Sequence, residues 1–216
     1  MSSREAILSR IRKARGVAAE PTGAEQARVE AHLRARPIST RPSLEWNPIE
    51  RFREQCVRMS STVDDVAALS EVPAAVARYL TSAKLPMQAV AWPGIAALDW
   101  SASGVVVEGR PARGDDLVGI TGVHLAIAET GTLMFLSSPT TYAATSLLPE
   151  THIAVVPVGV IVPAMEEAWD RTRRETGDLP RAVNFVSGPS RTADIEGQLQ
   201  IGAHGPFRVH VIIVGA

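Results

Sequence analysis

The chain has 216 residues, 45% of them hydrophobic and 21% charged, and 22 basic against 23 acidic side chains leave a net charge of −1. That composition excludes an intrinsically disordered chain and leaves no global positive field for nucleic acid. A single cysteine, Cys56, excludes an internal disulfide and an iron–sulfur cluster held by this chain alone.

The first residues carry Arg4, Glu5, Arg10, Arg12 and Lys13 with no apolar stretch, so no signal peptide is read and a cytoplasmic location is expected. Ser2 and Glu5 form a capping pattern, and Ile7, Leu8 and Ile11 a narrow apolar stripe, predicting a short helix that ends near Gly16. A second helix with weak periodicity is predicted over residues 24–36. The arginines of this third interleave with acidic residues and read as solvated helix faces. Three prolines in residues 37–48 predict an extended connector, with Leu44 and Trp46 docked on a surface. Residues 1–47 are thus read as a helical arm and connector, and 48–216 as an α/β domain.

Asn47, Pro48 and Glu50 suit the N-cap, first and third positions of a helix whose inner face carries Ile49, Phe52, Cys56 and Met59. Cys56 then reads as a buried core thiol. Asp64 or Asp65 is expected to cap another short helix, residues 73–80 to form the next, and 88–92 a buried strand. From Leu117 onward short apolar runs alternate with Gly, Pro, Ser and Thr, predicting strands at 118–121, 125–128, 133–136, 153–157, 182–186 and 209–214. Several lack polar alternation, the sign of a largely parallel sheet with both faces covered. A helix over 163–174 has Glu166 and Glu167 in its first turn, Arg171, Arg173 and Arg174 in its last, and Gly177 after it. The expected architecture is α/β: a doubly wound, Rossmann-like sheet, mostly parallel, with an antiparallel hairpin at 125–136 and an N-terminal helical arm. The longest apolar run, 153–165, is broken by Pro157, Gly159 and Pro163 and is too short for a membrane span. No P-loop, G-x-G-x-x-G or internal repeat is visible.

In open α/β sheets ligands bind beyond the carboxyl ends of strands, where strand order reverses. Three loops therefore stand out. In Glu129-Thr130-Gly131-Thr132 a carboxylate follows an apolar strand, where burial would raise its pKa and suit a general base or nucleophile. Thr130 and Thr132 add hydroxyls, and Gly131 an unshielded backbone N–H. The same four residues also read as a hairpin turn with Glu129 paired to a distant arginine, and Thr121 and His124 precede them closely. The second loop, Ser187-Gly188-Pro189-Ser190-Arg191-Thr192, offers hydroxyls, an arginine and a helix capped by Ser190 or Thr192, an anion site. Ordinary capping, with Arg191 paired to Asp194 or Glu196, is its other reading. The third, Gly202-Ala203-His204-Gly205-Pro206, exposes an imidazole on a bare loop. His152 and His210 read as structural. His124, Glu129 and His204 lack metal-site spacing, so no metal is assigned, and no G-x-S-x-G elbow supports a serine hydrolase.

These motifs, with Gly119-Ile120-Thr121-Gly122, Leu147-Leu148-Pro149-Glu150-Thr151-His152-Ile153 and Ala193-Asp194-Ile195-Glu196, resemble in order and spacing the LUD domain of the lactate utilization protein C family. The resemblance covers about residues 48–214. It implies a NagB/RpiA/CoA-transferase-like fold, related to that of 5-formyltetrahydrofolate cyclo-ligase. It implies a role beside iron–sulfur partner proteins in oxidising L-lactate to pyruvate, with the clusters in the partners and no cofactor in this chain. One departure is that Thr141-Tyr142-Ala143-Ala144-Thr145 stands where the family often has a basic residue before its Ser-Leu-Leu-Pro stretch. The expected cleft gathers Glu129 and His204 as proton-handling candidates. Thr121, Thr130, Gly131, Thr132, Ser187, Gly188, Ser190, Arg191 and Thr192 would bind a small carboxylate or phosphate. A stand-alone acyl or CoA transferase, a sugar-phosphate isomerase using Glu129, and a non-catalytic scaffold are the alternatives.

Overall fold

The computed structural model describes residues 3–16, 21–195 and 198–215, with the side chains of 193–195, 198 and 199 outside the description. Ser2 of the predicted capping pattern and Glu196 of the second loop therefore lie outside the described residues. The chain divides into two compact units, Met1–Pro42 and Ser43–Ala216.

The first unit holds helices α1 (Ser3–Arg15) and α2 (Gly23–Ala35), neither of which buries a residue. α2 opens on a reciprocal cap that the sequence reading missed: Glu25 N–H donates to Thr22 Oγ1 (3.2 Å) and Thr22 N–H to the Glu25 carboxylate (2.8 Å).

The second unit begins with α3 (Pro48–Arg58), started as the sequence predicts: Asn47 Oδ1 accepts from the N–H groups of Ile49 (2.9 Å) and Glu50 (3.3 Å). In chain order there follow β1 (Thr62–Val66), α4 (Val72–Ser82), β2 (Gln88–Ala91), α5 (Pro93–Ala96), β3 (Val106–Glu108) and β4 (Val118–Thr121). Next come β5 (Leu125–Ile127), β6 (Thr132–Leu136), α6 (Ala144–Leu147), β7 (Thr151–Pro157), β8 (Ile161–Val162) and α7 (Met165–Thr176). β9 (Val183–Val186), β10 (Arg191–Ile195), β11 (Gln198–Ile201) and β12 (Arg208–Val214) complete it.

Two expectations fail locally. Residues 62–66 are a strand, not a helix capped by Asp64 or Asp65. Those carboxylates ion-pair instead with Arg78 and Arg53, each at 2.8 Å, tying the edge strand to α4 and α3. The helix expected after Ser190 is an antiparallel ribbon, β10 against β11. Ser190 is already engaged on both sides, its N–H donating to Pro206 O and its carbonyl accepting from Gly202 N–H, both at 2.9 Å. In each case a ladder with a distant segment outweighed a local capping signal.

Six strands form one sheet in the order β1-β12-β7-β4-β2-β3, every neighbouring pair parallel. The expected hairpin exists as β5–β6, but it belongs to a second sheet, β8-β5-β6-β9. Side-chain alternation explains the layering. Val118, Ile120, Ile153, Val155 and Ile212 point to the face covered by α4, with Val72, Val76 and Leu80. Ala154, Val156, Val209, Val211 and Ile213 point the other way, onto α3 and the second sheet, where small Ala126 and Ala128 lie among the larger Phe52, Leu133 and Phe135. The outer face of the second sheet, Leu125, Ile127 and Met134, is closed by Ala168, Met165 and Trp169 of α7. Each such aliphatic side chain contributes about 1.5–3 kcal/mol on burial. The unit is thus helix, parallel sheet, small mixed sheet, helix. α7 ends as predicted, with Gly177 at φ +69 and its N–H donating to Arg173 O (3.0 Å).

Among the described residues no helix is long and apolar enough to cross a membrane.

Candidate functional site

The turn between β5 and β6 is held from three sides. Ala128 and Glu129 N–H groups donate to Val162 and Pro163 carbonyls (both 2.9 Å), so β8 sets where Glu129 leaves the sheet. Gly131 closes the turn at φ +66 and lies against α3, where an added Cβ would come within 2.7 Å of Cys56 N and Gln55 C. Only glycine meets both demands. Glu129 is half-buried rather than sunk in the core. Cys56 sits beneath the turn, its thiol reaching Gly131 O at 3.9 Å, and burial pushes its pKa up to about 12. It is the inert core thiol the sequence predicts.

A chain of hydroxyls runs from this turn into the second loop. Thr130 Oγ1 lies 2.7 Å from Thr132 Oγ1, and Thr132 Oγ1 lies 2.7 Å from Ser187 Oγ. β6 and β9 pair antiparallel, with Leu133 opposite Val186, so Thr132 and Ser187 meet at the end of that ladder. Thr130 and Ser187 are exposed and Thr132 is buried between them. Beyond Ser187, Gly188 (φ +74) would place a Cβ on the carbonyl oxygen of Met59, the C-cap of α3. Arg191 reaches the same end of α3, its Nη2 donating to Ser60 Oγ (2.6 Å) and Met59 O (3.2 Å). A cation at a helix C-terminus is favourable. The expected anion anchor therefore ties a loop to α3. Ser190 carries the third loop, with Gly205 packed on it and Gly202 at φ +80 against Phe207. His204 is exposed on that loop, and Thr192 is half-buried in β10.

The structure thus joins Thr130, Thr132 and Ser187 directly, and joins Gly131, Gly188 and Arg191 through the C-terminal half of α3. It sets Thr121 apart. Thr121 is fully buried, bonded through Oγ1 to His152 Nε2 at 2.8 Å. His152 is itself without exposure, and burial lowers its pKa to about 4, so the ring is neutral. Gly119 serves packing as well, because a Cβ there would strike the carbonyl oxygen of Thr145. His210, the other strand histidine, stacks on Tyr79 with ring centroids 3.9 Å apart and bonds Thr62 Oγ1 through Nδ1 (2.8 Å). Burial lowers its pKa to about 4.

Strand order places a second region that the loop-by-loop reading did not reach. β2 leads outward to β3 and β4 leads inward to β7, so order reverses between β2 and β4. Beyond their carboxyl ends lies a crevice of two adjoining lobes, about 260 and 280 Å³, which share Trp92, Val123 and Thr141. Trp92 is fixed by its N–H to Ile120 O and its indole Nε1 to Tyr142 O, both 3.1 Å. His124 lines one lobe. The rule for carboxyl ends was available from sequence; the order of strands was not. Among the described residues, no group of three or more His, Cys, Asp or Glu could hold a metal ion.

Comparison with known proteins bears on residues in both regions. The family model described as LUD domain matches residues 112–214, from before β4 to the end of β12. "Lactate utilization protein C" of Bacillus subtilis (strain 168) is 42% identical over 100 residues, 45% of this chain and 42% of that protein. "Lactate utilization protein C 1" of Bacillus mycoides (strain KBAB4) is 43% identical over 106 residues, 48% and 45% of the two chains. The Bacillus velezensis protein of the former name is 36% identical over 128 residues, 57% and 53%. The matched stretch is therefore about half, or less, of the length of these relatives. A crystal structure of a DUF162 family protein from Deinococcus radiodurans superposes with TM-score 0.59 at 24% identity, covering 81% of this chain and all of that one, and shares the fold.

Proposed function

We propose that this chain, whose residues 112–214 carry a LUD domain, is a component of an L-lactate utilization system, working with iron–sulfur partner proteins that oxidise L-lactate to pyruvate. The observation that supports this is the similarity to proteins named lactate utilization protein C over a region that includes the Glu129 turn and its hydroxyl chain. Oxidation of lactate to pyruvate releases two electrons and two protons. The single cysteine cannot hold an iron–sulfur cluster by itself, and in this proposal the electrons pass to clusters in the partners. The proton-handling groups assigned to this chain are Glu129 and the hydroxyls of Thr130, Thr132 and Ser187, with His204 the further candidate.

The test is genetic. Deleting the chain from its host should stop growth on L-lactate and spare growth on pyruvate, with wild type restoring growth and a folded Glu129→Gln chain failing to. Normal growth of the deletion strain on L-lactate would overturn the assignment, and full rescue by Glu129→Gln would remove the role given to Glu129.

Half-buried Glu129, next in sequence to the first residue of a hydroxyl chain, also favours a second reading, a free-standing transferase or isomerase using Glu129. Turnover of an acyl-CoA or sugar phosphate by the isolated chain, lost in Glu129→Gln, would establish it instead.

A further inference from the structure

The crevice between the carboxyl ends of β2 and β4 is built unlike the Glu129 turn. Its lobes, about 260 and 280 Å³, are each large enough for a single ring system and are bounded by Trp92, Val123, Thr141 and His124 with no charged side chain among their lining residues. An ionised ligand would meet no opposite charge among those residues, which favours neutral ligands over carboxylates and phosphates.

Gly122 leaves space beside the indole. A Cβ at Gly122 would stand 4.0 Å from Trp92 Cε3, in ordinary contact, so the glycine leaves that ring edge open to the lobe where a side chain would cover it. The indole is held in place, since its Nε1–H is committed to Tyr142 O and its ring packs perpendicular to Phe135, with ring centroids 5.8 Å apart. A fixed aromatic edge beside an unfilled volume suits a flat ring.

His124 supplies direction. Its Nε2 lies 3.1 Å from Thr172 Oγ1, and Thr172 Oγ1 donates its one proton to Ala168 O at 2.8 Å. The threonine oxygen therefore accepts, His124 Nε2 carries the hydrogen, and Nδ1 keeps the lone pair. Burial holds His124 below the ordinary imidazole pKa, with Glu175 pulling upward and Arg171 downward, so the neutral ring with its lone pair prevails at pH 7.

We propose that this crevice is a binding site for an uncharged, flat heteroaromatic ring that packs beside Trp92 over Gly122 and donates an N–H or O–H to His124 Nδ1. The site is independent of the lactate reading and of Glu129. It takes a neutral ring, alone or as one end of a larger molecule.

Saturation-transfer NMR on the full chain tests this with nicotinamide and adenine as neutral probes, and L-lactate and inorganic phosphate as anionic ones. At millimolar concentration at least one neutral ring should give a signal that Gly122→Leu reduces at least tenfold, and His124→Phe should weaken it several-fold. Glu129→Gln should leave it unchanged, which separates failure here from failure of the lactate assignment. Should Gly122→Leu not fold, Thr141→Leu enlarges a side chain that lines both lobes and is expected to give the same loss. Silence of both neutral probes, or a signal untouched by either filling variant, would overturn the proposal. Saturable binding of an anionic probe that the filling variants abolish would overturn the ligand class.

Discussion

The β5–β6 hairpin has two ends, about 13 Å apart at 3.3 Å per residue along β6, and they have opposite chemistry. Its closed end carries Glu129, three linked hydroxyls and a glycine pressed on α3. Its open end, at His124 and Leu136, lines an uncharged crevice beside Trp92. The closed end is made by four residues adjacent in sequence, held by α3 beneath them, by the Val162 and Pro163 carbonyls and by Ser187 at the end of β9. The open end exists only because β2 and β4 are neighbours in a parallel sheet, with Val90 opposite Gly119 and Ala91 opposite Ile120. One short hairpin therefore presents a charged, hydrogen-bonded surface in one direction and a neutral recess in the other, and a change at one end should be felt weakly at the other.

Acid gives the largest expected effect, and it acts from the main parallel sheet rather than from either end of the hairpin. His152, bonded to Thr121 of β4, and His210 of β12 both have folded pKa values lowered to about 4 by burial, against 6.5 unfolded. A lowered histidine pKa means that the unfolded chain binds more protons between pH 4 and 6.5. The stability these residues confer is therefore full above pH 6.5 and is lost as pH falls toward 4, on the order of 3 kcal/mol for each. Urea unfolding at pH 7 and at pH 5 should show the loss, with amide exchange in β4, β7 and β12 rising first. Equal stability at the two values would contradict it.

Gly131→Val comes next and strikes the closed end. A left-handed backbone at a β-branched residue costs about 1–2 kcal/mol, and the clash with Cys56 N and Gln55 C about 1–3 more. Thermal unfolding should fall accordingly, and the folded fraction should retain the neutral-ring signal of the open end. Loss of that signal in a folded Gly131→Val chain would show the two ends to be coupled.

Thr132→Val is the smallest and sharpest change, near isosteric and confined to the middle hydroxyl. It should cost about 1 kcal/mol, because Thr130 and Ser187 are exposed and can turn to water. Lactate-dependent growth should nevertheless fall if the hydroxyl chain serves Glu129. Unimpaired growth would leave Glu129 acting without it.

Legibility from sequence followed the range of the interactions. The Asn47 cap, the Gly177 stop, the strand at 118–121 and the hairpin were readable because caps, glycine conformations and apolar runs act within a few residues. β1 was misread because Asp64 and Asp65 look like caps while their strand pairs with residues 210–214 at the far end of the chain. The 190–195 stretch was misread because Ser190 and Thr192 carry capping side chains, whereas its ladder to 198–201 and the Ser190 bonds to Gly202 and Pro206 lie beyond a local reading. The tie of Arg191 to α3 was not legible because the end of α3 that it meets is some 130 residues away, and Thr121 looked available because its bond to His152 crosses two strands.

The sequence by itself determined the α/β character, most strands of the second half, the inert cysteine and the polar identity of the Glu129 turn, since each depends on residue type and short spacing. Tertiary structure alone decided that the hairpin leaves the main sheet, that α3 underlies the turn and the Ser187 loop together, and that a neutral crevice opens between β2 and β4. Those outcomes rest on which strands pair, and pairing is set by the summed burial of both sheet faces, a quantity that no local stretch contains.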